Sequence, residues 1–290
     1  MRYVGPMKVA KYIDAVGAER VARVEDGQLL PLRLPSDVRC LADLLAADNP
    51  IEAVSKILTD EPVPIEDRVR WLPPIDRQEV WAAGVTYLRS QTARMEESEA
   101  AASCYDRVYR ADRPELFFKA TPGRVRGHQA PLRIRRDSEW NVPEPEITLV
   151  LSPALRIVGL TCGNDMSSRD IEGENPLYLP QAKCYAESAG LGPWITLIDR
   201  LPSPDQIGVS MKIERAGEVV FTEETSAEQM ARGFEDLVGW LGRDNEFPQG
   251  AFLMTGTGIV PASDFTLRPG DAVHITVDGV GTLTNTIVQR

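Results

Sequence analysis

Short stretches of alternating hydrophobic and polar residues recur along most of this chain, and this period of two is typical of half-buried β-strands. The alternation at residues 18–32 is interrupted by Asp26-Gly27, a dipeptide that favours a hairpin turn. Continuous apolar runs at 80–86 and 251–260 predict buried strands. Further strands are predicted in the second half of the chain, at residues 146–151, 156–162, 194–198, 209–215, 219–223, 272–277 and 281–288.

Helical spacing of apolar residues is less common. It predicts helices at 36–45 and 50–58, a polar helix at 87–109, and an amphipathic helix at 226–241 with Ser226 as its N-cap. Strands outnumber helices and do not alternate with them, so the pattern favours a β-rich α+β fold with a mixed, largely antiparallel sheet. Paired prolines near Pro62 and Pro73 favour an extended connection. We therefore predict a small N-terminal α+β domain at 1–72 and a larger domain at 73–290.

The charge of the chain excludes some classes of partner. The sequence has 43 acidic residues against 32 Lys and Arg, a formal net charge of −11, so a nucleic-acid-binding surface is not expected. No apolar run approaches the roughly 20 residues that a bilayer span requires, and the N-terminus lacks a signal pattern. These features predict a cytoplasmic protein without a membrane partner. The four cysteines form no C-x-x-C pair, which argues against a zinc site.

Three carboxylates form the strongest candidate for chemistry. Glu144 and Glu146 lie two apart at the start of a predicted strand, so their side chains share a face. Asp165 ends the next apolar run, which can pair with the first strand as a hairpin. Carboxylates this close require a positive charge between them, and a hard divalent cation is the natural candidate. Two alternatives remain: the glutamates form a solvated sheet edge beside Pro145, or Asp165 caps a helix that begins at Met166.

Several separated motifs, taken together, resemble the catalytic domain of the fumarylacetoacetate hydrolase family over roughly residues 73–290. The family motifs are Pro143-Glu-Pro-Glu-Ile147, Gly163-Asn-Asp-Met-Ser-Ser-Arg-Asp170, Lys183, Thr255-Gly-Thr257 and the closing segment 270–285. Three further segments are similar to the 2-keto-3-deoxy-D-arabinonate dehydratase branch of that family: 113–122, 137–140 and 172–183.

The resemblance implies a fumarylacetoacetate-hydrolase-like mixed β-sandwich or roll and a set of site residues. Glu144, Glu146 and Asp165 match the positions that hold Mg²⁺, with Mn²⁺ or Ca²⁺ as alternatives, and the ion would chelate the carboxylate and keto oxygens of a 2-keto acid. Lys183 matches the site lysine of the family, and Thr257 matches the threonine that binds the substrate carboxylate. Members of the family are usually dimers or tetramers, which implies a homo-oligomer.

The chain also departs from the hydrolases of the family. The loop at 84–92 lacks the histidine that activates water in those enzymes, and Thr257 is followed by Gly258 instead of proline. The resemblance therefore favours a dehydratase that converts a 2-keto-3-deoxy sugar acid to 2,5-dioxopentanoate. The alternatives are a C–C hydrolase of the acylpyruvate type, a keto-diacid decarboxylase on the same metal site, and a binding protein with a degenerate site. Retention of the carboxylates and of Lys183 argues against the last.

Dehydration requires removal of the C3 proton, which lies α to the ketone, and departure of the C4 hydroxyl. A metal ion at the keto oxygen would stabilise the enolate, and the enol left after elimination would tautomerise to 2,5-dioxopentanoate. Glu115 and Lys183 are our candidates for the acid and the base. Which of them is the acid is left open, and the alternative for Glu115 is an exposed strand end.

Weaker candidates flank this set. Tyr87 and Arg89 stand at the predicted strand-to-helix junction and are candidate substrate-binding residues, with a helix-surface role as the alternative. Arg169 and Asp170 either hold the loop of metal ligands or form a structural pair. His274 lies in an alternating strand and is expected to be a packed or exposed strand residue, not a ligand.

Overall fold

The described part of the first 72 residues forms five strands and two short helices. The structure, a computed structural model, describes residues 6–65, 69–88 and 107–290. The hairpin predicted at Asp26-Gly27 is confirmed, because both turn residues have positive φ and join two antiparallel strands. The elements are β1 (Lys8–Ile13), β2 (Glu19–Glu25), β3 (Gln28–Pro31), α1 (Leu41–Leu45), α2 (Pro50–Ser55), β4 (Val63–Pro64) and β5 (Arg70–Leu72).

The described residues after 72 supply most of the strands and further helices. The strands are β6 (Glu79–Gly84), β7 (Glu115–Ala120), β8 (Val125–Arg126), β9 (Leu132–Arg133), β10 (Asn141–Val142), β11 (Pro145–Leu151), β12 (Ile157–Asp165), β13 (Ser167–Ser168), β14 (Ala189–Leu197), β15 (Gly208–Arg215), β16 (Glu218–Ser226), β17 (Ala251–Met254), β18 (Ala272–Val277) and β19 (Gly281–Val288). The helices are α3 (Arg169–Glu174), α4 (Leu179–Lys183) and α5 (Phe234–Leu241).

Two large sheets organise these strands. In the first, the order is β4-β3-β2-β1-β14-β12-β11-β17-β6-β7, with β5 beside β1 and β8 beside β14. The second has the order β16-β15-β18-β19-β9. Because β1 pairs with β14, the N-terminal strands continue the sheet that carries the candidate site. The division into domains at residue 72 stays a prediction.

The main core lies between the two sheets. It contains side chains from β11 and β12 of the first sheet and from β15, β18 and β19 of the second, with α5 packed against them. The opposite face of the first sheet is covered by α1 and α2. Burial on both faces explains why β11 reads as a nearly continuous apolar run. The predicted β-rich α+β fold is confirmed.

The amphipathic helix predicted at 226–241 is wrong over its first eight residues. The helix begins at Phe234, and residues 227–229 form a 3₁₀ turn. Met230 forms a bridge with Tyr87, and the Ala231 N–H donates to the Thr86 carbonyl at 2.8 Å. This pairing with another part of the chain draws residues 230–231 out of helical geometry, which a local pattern does not reveal.

Two other predicted elements are shorter or lie partly outside the structure. The strand predicted at 251–260 ends at Met254, because Gly256 takes a φ of +90°. Of the helix predicted at 87–109, residues 89–106 lie outside the described part of the chain. Within the described residues, no helix is both long enough and apolar enough to span a membrane.

Candidate active site

The antiparallel pairing of β11 with β12 brings the three predicted carboxylates together. Glu146 lies opposite Gly163, and the Asp165 N–H donates to the Glu144 carbonyl at 3.0 Å. In this register Glu144 and Asp165 are neighbours across the hairpin, and Glu146 is two residues along the same face. One carboxylate oxygen from each of the three residues lies within 4.8 Å of the others.

Both alternatives to a shared site are wrong. The sheet-edge alternative fails because Glu144, Glu146 and Asp165 are 4%, 1% and 1% exposed, so they do not form a solvated edge. The helix-cap alternative fails because α3 begins at Arg169, with Ser168 as its N-cap. Burial, and secondarily repulsion from Asp165 and Glu144, raises the pKa of the Glu146 carboxyl well above its usual value. Such a cluster favours the entry of a cation.

Three buried cations surround the carboxylates. The Arg169 guanidinium donates to Glu144 Oε1 at 2.9 Å. The Lys183 ammonium donates to Glu144 Oε2 at 2.8 Å and to Asp165 Oδ2 at 3.0 Å. Lys119, which is fully buried, lies 2.5 Å from Asp165 Oδ1. Buried ions require this kind of pairing, so the cations stabilise the deprotonated carboxylates in the interior.

Lys119 is a residue that sequence reasoning missed. Its ammonium also donates to the main-chain carbonyls of Met166 and Lys183 at 2.9 and 2.5 Å, so it ties β7 to both segments that carry site residues. The spacing along the sequence could have indicated it, because residues 115, 117 and 119 alternate onto one face of β7, and Glu115 was already a candidate. Burial lowers the pKa of the Lys119 ammonium, and Asp165 opposes that shift.

Glu115 is the first residue of β7 and lies opposite Gly84, the last residue of β6. Its carboxylate rests directly on the glycine: a Cβ at position 84 would meet Glu115 Oε2 at 2.0 Å. A Cβ at this position would displace the Glu115 carboxylate. This contact directs the Glu115 side chain across the end of β6, into the same cleft as the metal-ligand candidates.

The predicted Thr-Gly-Thr motif forms the turn after β17. Thr255 anchors the turn, since its hydroxyl and its N–H both donate to the Ile147 carbonyl, at 2.9 and 3.1 Å. The Gly256 N–H donates to Glu146 Oε2 at 2.6 Å. Thr257 lines the cleft, and its hydroxyl accepts from the Ile259 N–H at 3.1 Å.

A single cleft collects most of the predicted residues. It is lined by Ala83, Gly84, Val85, Glu115, Phe117, Glu144, Asp165, Arg169, Glu172, Lys183, Gly256 and Thr257. Phe117 and Glu172 were not singled out from the sequence, although both lie in segments that carry the branch resemblance. Glu146 is not among the residues that line the cleft, and its Oε2 accepts from the Gly256 N–H. The predicted catalytic pair, Glu115 and Lys183, therefore shares a wall with the carboxylates.

Two of the weaker candidates, Tyr87 and Asp170, contact different segments of the chain. Tyr87 is 2% exposed, and its ring lies against Gly258 beside the Thr-Gly-Thr turn. Its substrate-binding role stays a prediction, and Arg89 lies outside the described residues. Asp170 accepts from the Ser138 hydroxyl at 2.6 Å and from the Glu139 N–H at 2.7 Å, so it holds the loop before β10.

Both histidines have structural contacts away from this cleft. His274 lies in β18, half-buried, with Nδ1 3.0 Å from the Thr284 hydroxyl, as expected for a strand residue. His128 packs edge-on against Trp71, and its Nδ1 accepts from the Thr284 N–H at 3.0 Å. Among the described residues that line the cleft, none is a histidine.

The donor set fits a hard divalent cation. Three buried carboxylates that offer one oxygen each from a compact group are the ligands that Mg²⁺ and its relatives take, with the remaining positions left to water or substrate. Glu144, Glu146 and Asp165 are the residues that would hold the ion. Arg169, Lys119 and Gly256 would fix the orientation of these ligands.

Comparison with known proteins identifies the family. The profile of the fumarylacetoacetate (FAA) hydrolase C-terminal family matches residues 79–288. A probable 2-keto-3-deoxyxylonate dehydratase of Haloferax volcanii is 43% identical over 259 residues, 87% of this chain and 89% of that protein. A 2-dehydro-3-deoxy-D-arabinonate dehydratase of Saccharolobus solfataricus is 42% identical over 225 residues, 77% of this chain and 76% of that protein.

A solved structure extends the likeness to nearly the whole chain. It is a 2-keto-3-deoxy-D-arabinonate dehydratase complexed with magnesium and 2,5-dioxopentanoate, 34% identical, with a TM-score of 0.84. The similarity covers 98% of this chain and 99% of that one. The matched profile and these relatives agree with the fold. The chain belongs to the fumarylacetoacetate hydrolase family.

Proposed function

We propose that this protein dehydrates a 2-keto-3-deoxy sugar acid of the pentonate type to 2,5-dioxopentanoate, with Mg²⁺ held by Glu144, Glu146 and Asp165. One observation carries the proposal: the cleft joins the buried carboxylates to Glu115 and Lys183. A metal site for a 2-keto acid and a proton-transferring pair are what elimination next to a ketone requires. The relatives named as dehydratases of such acids support it.

Binding of the substrate is assigned to the end of the cleft near the Thr-Gly-Thr turn. Thr257 presents a hydroxyl there, and we assign it to the substrate carboxylate, with Tyr87 behind it and Arg89 as a further candidate. When bound, the divalent ion supplies a Lewis acid for the keto and carboxylate oxygens. The 2-keto acid head would then lie at the carboxylate cluster, with C3 and C4 towards Glu115.

Proton transfer is assigned to Glu115 and Lys183. Removal of a C3 proton and departure of the C4 hydroxyl with a proton release one water molecule and leave a 3,4-unsaturated keto acid. Loss of a proton from C5, gain of an exchangeable proton at C3 and a final tautomerisation that protonates C4 then give 2,5-dioxopentanoate, with no oxidant or reductant required. Glu115 can exchange protons at the departing hydroxyl, and Lys183 at the enolate side. The apolar ring of Phe117, which lines the same cleft 5.6 Å from Lys183 Nζ, would limit access of water.

C–C bond hydrolysis is the second candidate, and the absence of a histidine among the described residues that line the cleft counts against it. Hydrolysis of an acylpyruvate requires a group that activates water. His128 and His274 are the two histidines of the sequence, and both are engaged elsewhere, with Trp71 and Thr284. Keto-diacid decarboxylation needs the metal site alone, so the products must discriminate it.

Assembly and location belong to the same proposal. We assign the protein to the cytoplasm as a homo-oligomer, a dimer or tetramer, because metabolic enzymes of this family commonly take these forms. The size of the assembly can be measured by light scattering coupled to gel filtration. A monomer at micromolar concentration would refute the homo-oligomer.

Product analysis tests the reaction. Purified protein with Mg²⁺ is incubated separately with 2-keto-3-deoxy-D-arabinonate, acetylpyruvate and oxaloacetate, and the products are followed by ¹H NMR. We expect 2,5-dioxopentanoate from the first compound and little change in the other two. Acetate with pyruvate, or pyruvate with CO₂, and no dehydration would refute the proposal and support the hydrolase or the decarboxylase.

A further inference from the structure

The ammonium of Lys183 is fully engaged by the residues around it. It donates to Glu144 Oε2 at 2.8 Å, to Asp165 Oδ2 at 3.0 Å and to the Ser167 hydroxyl at 2.5 Å. A lysine ammonium has three N–H donors, and three acceptors satisfy them. In this arrangement Lys183 has no donor left for a substrate.

The two carboxylates that Lys183 contacts share a common arrangement. Glu144 has Oε1 on Arg169 and Oε2 on Lys183. Asp165 has Oδ1 on Lys119 and Oδ2 on Lys183. Each therefore has one oxygen on a separate cation and the other on the same ammonium. Lys183 takes the position of a cation shared between two candidate metal ligands.

The three buried cations differ in the parts of the chain that hold them. Lys119 has no exposed surface and is held by the main-chain carbonyls of Met166 and Lys183. Arg169 is 1% exposed and opens α3, next to the loop tied down by Asp170. Lys183 is equally buried, at 1% exposed, but it is the last residue of the five-residue helix α4, and its ammonium contacts the side chains of Glu144, Asp165 and Ser167. Its four-carbon stem can rotate about four bonds without any change in the backbone.

We propose that a divalent cation entering the site displaces the Lys183 ammonium from Glu144 Oε2 and Asp165 Oδ2, while Lys119 and Arg169 keep the outer oxygens. The inference rests on the proposed function, since it assumes that the ion binds at these carboxylates. A dication and an ammonium on the same two oxygens would repel each other in a buried site, where charges interact strongly. Displacement removes that repulsion.

The displaced ammonium would remain beside Phe117. Lys183 lines the cleft, and the face of Phe117 lies 5.6 Å from its Nζ, close enough for a cation–π contact. Movement away from the carboxylates frees N–H donors for the bound substrate. Metal binding thereby turns Lys183 from a counter-ion of the empty carboxylates into a group that serves the reaction. The protein would become competent for proton transfer only after the metal has bound.

Mn²⁺ binding to two matched variants tests the displacement in solution. Lys183→Met and Lys119→Met each remove one positive charge from Asp165, and free Mn²⁺ is measured by electron paramagnetic resonance without substrate. In the wild-type protein, the contacts of Lys183 with Glu144 and Asp165 must break before the ion can bind, and Lys183→Met has no such contacts to break. We therefore expect Lys183→Met to bind Mn²⁺ roughly 10- to 100-fold more tightly than wild type. Lys119→Met should show no gain, because it loses an anchor of a ligand. Equal gains in both variants would indicate a simple charge effect and overturn the inference.

Crystal structures of the wild-type protein without metal and with Mn²⁺ provide a test that does not depend on the folding of a variant. We expect both carboxylate contacts of Lys183 Nζ to be lost in the Mn²⁺ form and the Lys119 contact with Asp165 to persist. Mn²⁺ at the carboxylates with Lys183 still bonded to both oxygens would overturn the displacement alone. Mn²⁺ bound elsewhere, or not at all, would instead refute the metal site of the proposed function.

Discussion

Replacement of Gly84 by alanine perturbs Glu115 through a single steric contact. The added Cβ would lie 2.0 Å from Glu115 Oε2, and Cβ atoms essentially never approach another heavy atom closer than 3.0 Å. The carboxylate must therefore retreat by at least about 1 Å. A misplacement of this size costs on the order of a hundredfold in rate, roughly 2.7 kcal/mol of transition-state stabilisation.

The assay is steady-state formation of 2,5-dioxopentanoate by Gly84→Ala, together with Mg²⁺ affinity by calorimetry. We expect kcat to fall about a hundredfold while Mg²⁺ affinity stays within a factor of about three, because Glu115 is not one of the three carboxylates that would hold the ion. Gly123→Ala is the matched control, since a Cβ there would meet nothing within 4 Å. Near-normal turnover in Gly84→Ala would refute the assignment of Glu115 to the reaction.

Further predictions concern the metal ligands, the proton-transfer group and acid stability. Glu146→Ala and Asp165→Ala should each lose Mg²⁺-dependent turnover by about a thousandfold or more, and full Mg²⁺-dependent activity in both would exclude the metal site. Glu115→Gln should keep Mg²⁺ binding and lower kcat at least a hundredfold, measured by calorimetry and NMR, whereas normal turnover would return Glu115 to a strand-end role. Burial lowers the pKa of His128 from 6.5 to about 4, so the unfolded chain takes up the proton first as pH falls, and unfolding free energy should drop by about 2 kcal/mol between pH 6.5 and 4. His128→Gln, which can still accept from the Thr284 N–H, should flatten that part of the urea-denaturation profile, and an unchanged profile would contradict the assigned cause.

Local patterns were sufficient for the hairpin that carries the metal candidates. The spacing of Glu144 and Glu146 and the apolar runs on either side predicted a shared face, and the antiparallel register confirms that Asp165 joins them. Alternation is a direct consequence of strand geometry, so such predictions need no knowledge of the rest of the fold. The motifs that carry the family resemblance added Lys183 and Thr257, both of which line the cleft.

Contacts between distant segments could not be predicted in the same way. Strand alternation places Lys119 on the same face as Glu115 but does not predict its contacts, because its partners Met166 and Lys183 lie far along the chain. The helix predicted at 226–241 begins at Phe234, since Met230 pairs with Tyr87. In each case tertiary contacts override the local preference. The engagement of Lys183 by Glu144 and Asp165 likewise depends on where α4 ends, and no local pattern in the sequence specifies it.

The most direct test of the central claim is dehydration of 2-keto-3-deoxy-D-arabinonate in D₂O by the Mg²⁺-loaded wild-type protein, followed by NMR. The proposed reaction predicts 2,5-dioxopentanoate that carries deuterium at C3 and C4, and no formation when the metal is removed with a chelator. Unchanged substrate, or cleavage of a carbon–carbon bond in place of water loss, would contradict the assignment of this site to dehydration.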